Sequence, residues 1–165
     1  MPDDAHISEF AKRQRILPHW EEPGATYFIT AVLLRPPVVD LTTAVNGHLV
    51  VEALRFYDGE KYWLFDYTVM PDHIHCIMKP TVSRGKAERL DRIWHRLKSY
   101  LAHELNRKAG RTGAVWQEET MDHMLRNERD YYEKAAYILD NPRRKGLVSD
   151  PVHWPWWGRG LGGTA

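Results

Sequence analysis

Two strand-forming runs with almost nothing between them restrict this chain's fold more than any other feature. Tyr62 to Val69 (YWLFDYTV) and His73 to Lys79 (HIHCIMK) are rich in β-branched and aromatic residues, and only Met70-Pro71-Asp72 separates them. So short a turn cannot hold a crossover helix, so the runs are expected to pair as an antiparallel hairpin. Strand alternation then puts His73 and His75 on one face, with Ile74 and Cys76 on the other, toward a core.

The other segments fit around this hairpin. Ala25 to Leu34 (ATYFITAVLL) reads as a first strand, stopped by Arg35-Pro36-Pro37. Leu41 to Tyr57 carries Val45, Leu49, Ala53 and Phe56 near helical spacing, and Asp58-Gly59 signals a turn. Residues 86–109 give the best helix, striped by Leu90, Ile93, Leu97, Tyr100, Leu101 and Leu105 and closed by Gly110. Gly113 to Gln117 is a short strand or loop. Asn127 to Leu139 reads as the last helix, capped by Asn127 and ended by Asn141-Pro142. The expected class is α+β: a ferredoxin-like antiparallel sheet with helices on one face, plus a tyrosine-bearing helix at the C-terminal end. Residues 1–22 read as a surface segment, 23–149 as the domain and 150–165 as a Trp/Gly-rich tail.

Composition narrows the setting. A length of 165 residues suits one domain with a real core. No apolar run approaches the roughly 18 residues a membrane span needs, and MPDDAHISEF lacks the layout of a secretory signal. Cys76 is the only cysteine, which excludes an intrachain disulfide and a Cys-rich zinc site. A cytoplasmic protein is the simplest expectation. The net charge is only +1, yet residues 84–111 hold nine Lys or Arg against three acids. That basic helix, with Arg96 and Lys98, is either a solvated face or a phosphate-contacting one.

Several residues suggest chemistry. Two imidazoles on one strand face can hold one divalent ion, or can be a strand pair with no ligand. Tyr137 and Asn141, four apart, project from one helix face; Tyr131 and Tyr132 compete with Tyr137 as a nucleophile, and all three can equally be core. Arg143-Arg144-Lys145 forms a second basic cluster. The tryptophans of HWPWW (Trp154, Trp156, Trp157) are expected to pack on the body rather than stack on bases. No P-loop, G-x-S-x-G, H-E-x-x-H or Rossmann fingerprint is present.

Taken in order, LPHWEEPGATYFIT, YTVMPDHIHCIMKP, RLKSYLAHELN, AVWQEETMDHMLRNERDYYEKAAYILDNPRRKGLV and HWPWW cover about residues 15–157. These stretches resemble the REP-associated tyrosine transposases, a branch of the single-tyrosine HUH transposases. The resemblance implies a ferredoxin-like fold, magnesium or manganese, and single-stranded or hairpin DNA as partner. It implies metal ligation by His73 and His75, Asn141 as third ligand, and Tyr137 as the nucleophile that leaves a 5′-phosphotyrosine. Lys98 matches a lysine of the basic helix, and Asp122-His123 falls in a matching stretch without an assigned role. Asp72 stands where relatives often carry Asn. Such proteins act as monomers or homodimers. Two other functions stay open: a non-catalytic hairpin-binding relative, and a metal phosphodiesterase that uses water.

Overall fold

The structure is a computed structural model and describes residues 19, 20 and 22–163, so the expected surface segment 1–22 lies almost wholly outside it. Its strands are β1 (Thr26–Val32), β2 (Tyr62–Val69), β3 (His73–Pro80), β4 (Val82–Ser83), β5 (Lys86–Ala87), β6 (Met121–Leu125) and β7 (Trp157–Arg159). Its α-helices are α1 (Ala44–Phe56), α2 (Leu90–Ala109) and α3 (Glu128–Arg144). Five strands form one sheet in the order β6-β1-β3-β2-β7, and every pairing is antiparallel. The path β1-α1-β2-β3-α2-β6 with that order is the ferredoxin-like topology, and β7 extends it at the far edge.

Helices cover both faces. Ile29, Ala31, Ile74, Cys76 and Met78 bury one face of the sheet in a core with Leu49 and Leu54 of α1 and Leu97 and Leu101 of α2. On the other face, Phe65, Ile77 and Leu125 pack with Tyr131, Ala135 and Ile138 of α3. Among the described residues, the tyrosine helix is therefore the one α-helix on the face to which His73 and His75 project.

Several boundaries differ from expectation. Residues 86–87 pair with 82–83 in a small hairpin, so α2 begins at Leu90 rather than 86. Trp94 joins its buried stripe, whereas Tyr100 is exposed. In α1 the buried side chains include Val50 and Leu54, while Val45 and Phe56 face out. Strand β6 has no counterpart among the sequence expectations: only Leu125 of its five residues is buried, which leaves no alternation to read.

Asn141-Pro142 does not end α3; Pro142 is buried inside the helix, which runs to Arg144. The terminator is Gly146 in the left-handed region at φ 70°. Its N–H bonds the Arg143 carbonyl and the Leu147 N–H bonds the Pro142 carbonyl, the two bonds of a Schellman motif. Arg143 and Arg144 thus sit in the last turn rather than beyond it. At the other end, Asn127 accepts from the Asp130 N–H at 2.9 Å, as its position as N-cap suggests.

The Trp-rich segment packs on the body. Trp154 Nε1 donates to the Val69 carbonyl and Trp156 Nε1 to that of Thr42, each at 3.1 Å. The Trp156 indole lies so close to α1 that a Cβ on Gly47 would stand 2.5 Å from it. Glycine in a helix interior costs about 1 kcal/mol; here it makes the room that the tail needs.

Candidate active site

Strand β3 delivers both histidines. Its register sets His75 opposite Thr30 of β1 and Thr68 of β2, and the two imidazole centroids are 4.5 Å apart. His73 Nδ1 lies 2.7 Å from Asp72 Oδ1, so an Nδ1–H donates to that carboxylate. Burial opposes ionisation of Asp72, but the hydrogen bond and charge of His73 outweigh it and hold the carboxyl below its usual range. His75 Nδ1 lies 2.8 Å from the Thr30 hydroxyl, which can accept from it. With Nδ1 engaged in this way, each ring keeps the Nε2 lone pair for another partner. His75 is buried, and its pKa falls to about 3 through that burial, then through His73 and Lys134. It is a neutral imidazole, the form in which histidine binds metals.

Helix α3 brings the rest. The Tyr137 ring is 5.4 Å from the His75 ring and 6.0 Å from Phe28, which lies 5.2 Å from His75. Lys134 Nζ sits 4.9 Å from the Phe28 centroid and 6.0 Å from that of Tyr137, and the Arg144 guanidinium is 5.4 Å from the Tyr137 centroid. Spacings of three, seven and ten residues put Lys134, Tyr137, Asn141 and Arg144 along one helix face. Asn141 is buried, and its Oδ1 has no hydrogen-bond partner among the described residues.

The competing tyrosines are placed otherwise. Tyr131 is fully buried and its hydroxyl donates to Asp66 Oδ2 in a short hydrogen bond. Burial, then Asp66, pushes its phenol well above the usual range. Tyr132 packs edge-on against it at 5.2 Å. Of the three, Tyr137 is the one beside the histidines.

The expected DNA-contacting residues separate. Arg144 joins the site and Lys145 is exposed beyond α3, while Arg143 is held by Asp140 at 2.6 and 2.9 Å. Arg96 is exposed on α2, across the sheet from the histidines, where it lines cavities of about 730 and 530 Å³. Neither cavity includes a histidine of the pair or Tyr137. Lys98 is committed internally: its ammonium donates to the carbonyls of Gln117 and Glu118 and to the Thr120 hydroxyl, tying α2 to the loop before β6. Of Asp122-His123, His123 is opposite Phe28 in register and shares the site's face, while Asp122 is opposite Ile29 and lines the larger cavity.

Phe28, Thr30 and Lys134 were not singled out in the sequence. Lys134 was findable, three residues before Tyr137; Thr30 becomes visible only through strand register. Among the described residues no group of three or more His, Cys, Asp or Glu is arranged to hold a metal ion. The unpartnered buried amide oxygen of Asn141 is of a type that suits a hard divalent cation. His73, His75 and Asn141 fit such an ion.

No family model matches the chain. It is 28% identical over 134 residues to the REP-associated tyrosine transposase of Escherichia coli (strain K12), covering 80% of this chain and 74% of that protein. It is 27% identical over 141 residues to the putative REP-associated tyrosine transposase of Haemophilus influenzae (strain ATCC 51907 / DSM 11121 / KW20 / Rd), covering 81% and 78%. A solved structure of a REP-associated tyrosine transposase bound to a REP hairpin superposes with a TM-score of 0.66 at 25% identity, over 81% of this chain and 76% of that one. The curated homologues of this chain are thus REP-associated tyrosine transposases. Among the described residues no helix is long and apolar enough to cross a membrane.

Proposed function

We propose that this chain cleaves and transfers single-stranded DNA beside hairpins, through a 5′-phosphotyrosine on Tyr137, in DNA transposition. The observation that carries this reading is the position of Tyr137, 5.4 Å from His75 on the sheet face that His73 shares. The names of the homologues and the hairpin bound to the structural relative support the substrate. A divalent ion, magnesium or manganese, held by His73, His75 and Asn141 would draw charge from the phosphate oxygens and lower their repulsion of a nucleophile. The protein's own groups do the rest. Asp72 and Thr30 fix the imidazoles, and Phe28 walls the site beside Tyr137. The Tyr137 oxygen attacks phosphorus in line as the P–O3′ bond breaks; the phenolic proton ends on the departing 3′-oxygen, leaving a free 3′-OH. The phosphoester is retained on the tyrosine, so a second strand's 3′-OH can take it up. Tyr137 approaches the histidines of its own chain, which supports action as a monomer.

The test is incubation with hairpin-flanked single-stranded DNA and manganese, followed by a denaturing gel. A protein–DNA adduct that disappears in Tyr137→Phe is the expected result. Cleavage without adduct would instead indicate a water-using phosphodiesterase, and binding without cleavage a hairpin-binding relative.

A further inference from the structure

Among the described residues, Lys134 is a cation without a counter-ion. Its ammonium lies against the Phe28 ring and near the Tyr137 ring, at 4.9 and 6.0 Å from their centroids, and makes no ion pair among the described residues. Nearby carboxylates are occupied. Glu133 pairs with Arg129 at 3.3 Å, Asp140 with Arg143, and Asp72 with His73; Asp130 accepts the Arg126 N–H at 2.9 Å. What Lys134 faces on the site side is aromatic, Phe28 and Tyr137, with a second cation, Arg144, also over the Tyr137 ring. A half-buried ammonium set over two aromatic rings gives up much of its rotamer freedom. Such a group is organised in advance for an anion that arrives beside Tyr137.

We infer that Lys134 is a further catalytic residue, its ammonium taking a non-bridging oxygen of the scissile phosphate as Tyr137 attacks. This rests on the strand-transfer reading above. In the reaction that oxygen stays on phosphorus throughout; Lys134 keeps its proton and donates a charge-assisted hydrogen bond that strengthens as negative charge gathers on the phosphoryl oxygens. Arg144, exposed at the end of the helix, contacts the neighbouring backbone instead.

The test is a cycle between side chain and substrate. Lys134→Met keeps an unbranched chain over Phe28 and removes the charge; Lys134→Arg keeps the charge. Adduct formation is followed in single turnover on hairpin-flanked single-stranded DNA with manganese, once with a normal scissile phosphate and once with a methylphosphonate there, which lacks the charged oxygen. Lys134→Met should form adduct at least about tenfold more slowly on the normal strand, Lys134→Arg should recover most of the rate, and the two rates should converge on the methylphosphonate. An unchanged rate in Lys134→Met overturns the inference, as does a loss of equal size on both strands, which would mark a packing role. If the wild-type protein forms no adduct at all, the strand-transfer reading fails first. In that case, or if the methylphosphonate strand does not react, salt titration of single-strand binding decides. Removing one phosphate contact should flatten the log–log slope by about 0.7, and an unchanged slope rejects Lys134 as a phosphate ligand.

Discussion

Removing a single hydroxyl separates the roles of the tyrosines on α3. On the proposed strand transfer, Tyr137→Phe loses only the attacking oxygen, so adduct and cleavage should vanish while DNA binding persists, as measured by denaturing gel and by mobility shift. Tyr131→Phe is not a neutral control, because it strips a buried carboxylate of its donor. It should cost about 1–3 kcal/mol of stability in urea unfolding, and Tyr132→Phe is the better comparison. Thr30→Val tests the second layer of the site. The change preserves shape but removes the group at His75 Nδ1, and manganese affinity read by calorimetry should fall roughly tenfold or more. Recovery in Thr30→Ser is expected, and undiminished affinity in Thr30→Val would remove its orienting role.

Helix α3 is set by its two ends. Asn127→Ala should cost about 1 kcal/mol by losing the cap, and Gly146→Ala about 1–2 kcal/mol because a Cβ is strained at φ 70°. Thermal unfolding reads both, and neither should change which tyrosine forms the adduct. The helix also shows where reading by residue type fails. Asn141-Pro142 reads as its stop, yet Pro142 removes only one N–H and the helix runs on to Arg144, where the Schellman motif closes it. Strand β6 is hidden for the opposite reason: an exposed edge strand needs only a partner, and β1 supplies it.

Across the whole molecule, buried charge gives stability a particular pH dependence. Burial pushes Asp66 up to about 6, against the lowering effect of Arg159 and Tyr131. Its folded pKa lies above the unfolded one, so the native state holds more protons between about pH 4 and 6, and this group adds stability as pH falls through that window. His75, with its folded pKa depressed, removes stability as pH falls below about 6.5. Asp66→Asn deletes the first effect and leaves the second, so its drop in melting temperature from pH 7 to pH 5 should exceed that of the wild type. Equal drops would mean that Asp66 is not a buried titrating carboxyl. DNA binding should weaken steeply with salt through Arg144, Lys145 and Lys134, as a linear log–log titration would report.

The hairpin, the shared face of His73 and His75, the inward Cys76 and the spacing of Tyr137 to Asn141 were all legible in the sequence. Each depends on a local period, two along a strand or 3.6 along a helix, that the backbone imposes wherever the segment ends up. Which tyrosine meets the histidines was not legible by period alone, because Tyr131, Tyr132 and Tyr137 share one helix. Tertiary packing decided it: α3 docks on the histidine face with Tyr131 driven down onto Asp66, which leaves Tyr137 beside His75. Packing likewise drew Lys98 inward to hold a loop and set Lys134 beside Tyr137. A side chain's charge is written in its residue type, but what that charge faces depends on residues distant in the chain that only the fold brings near.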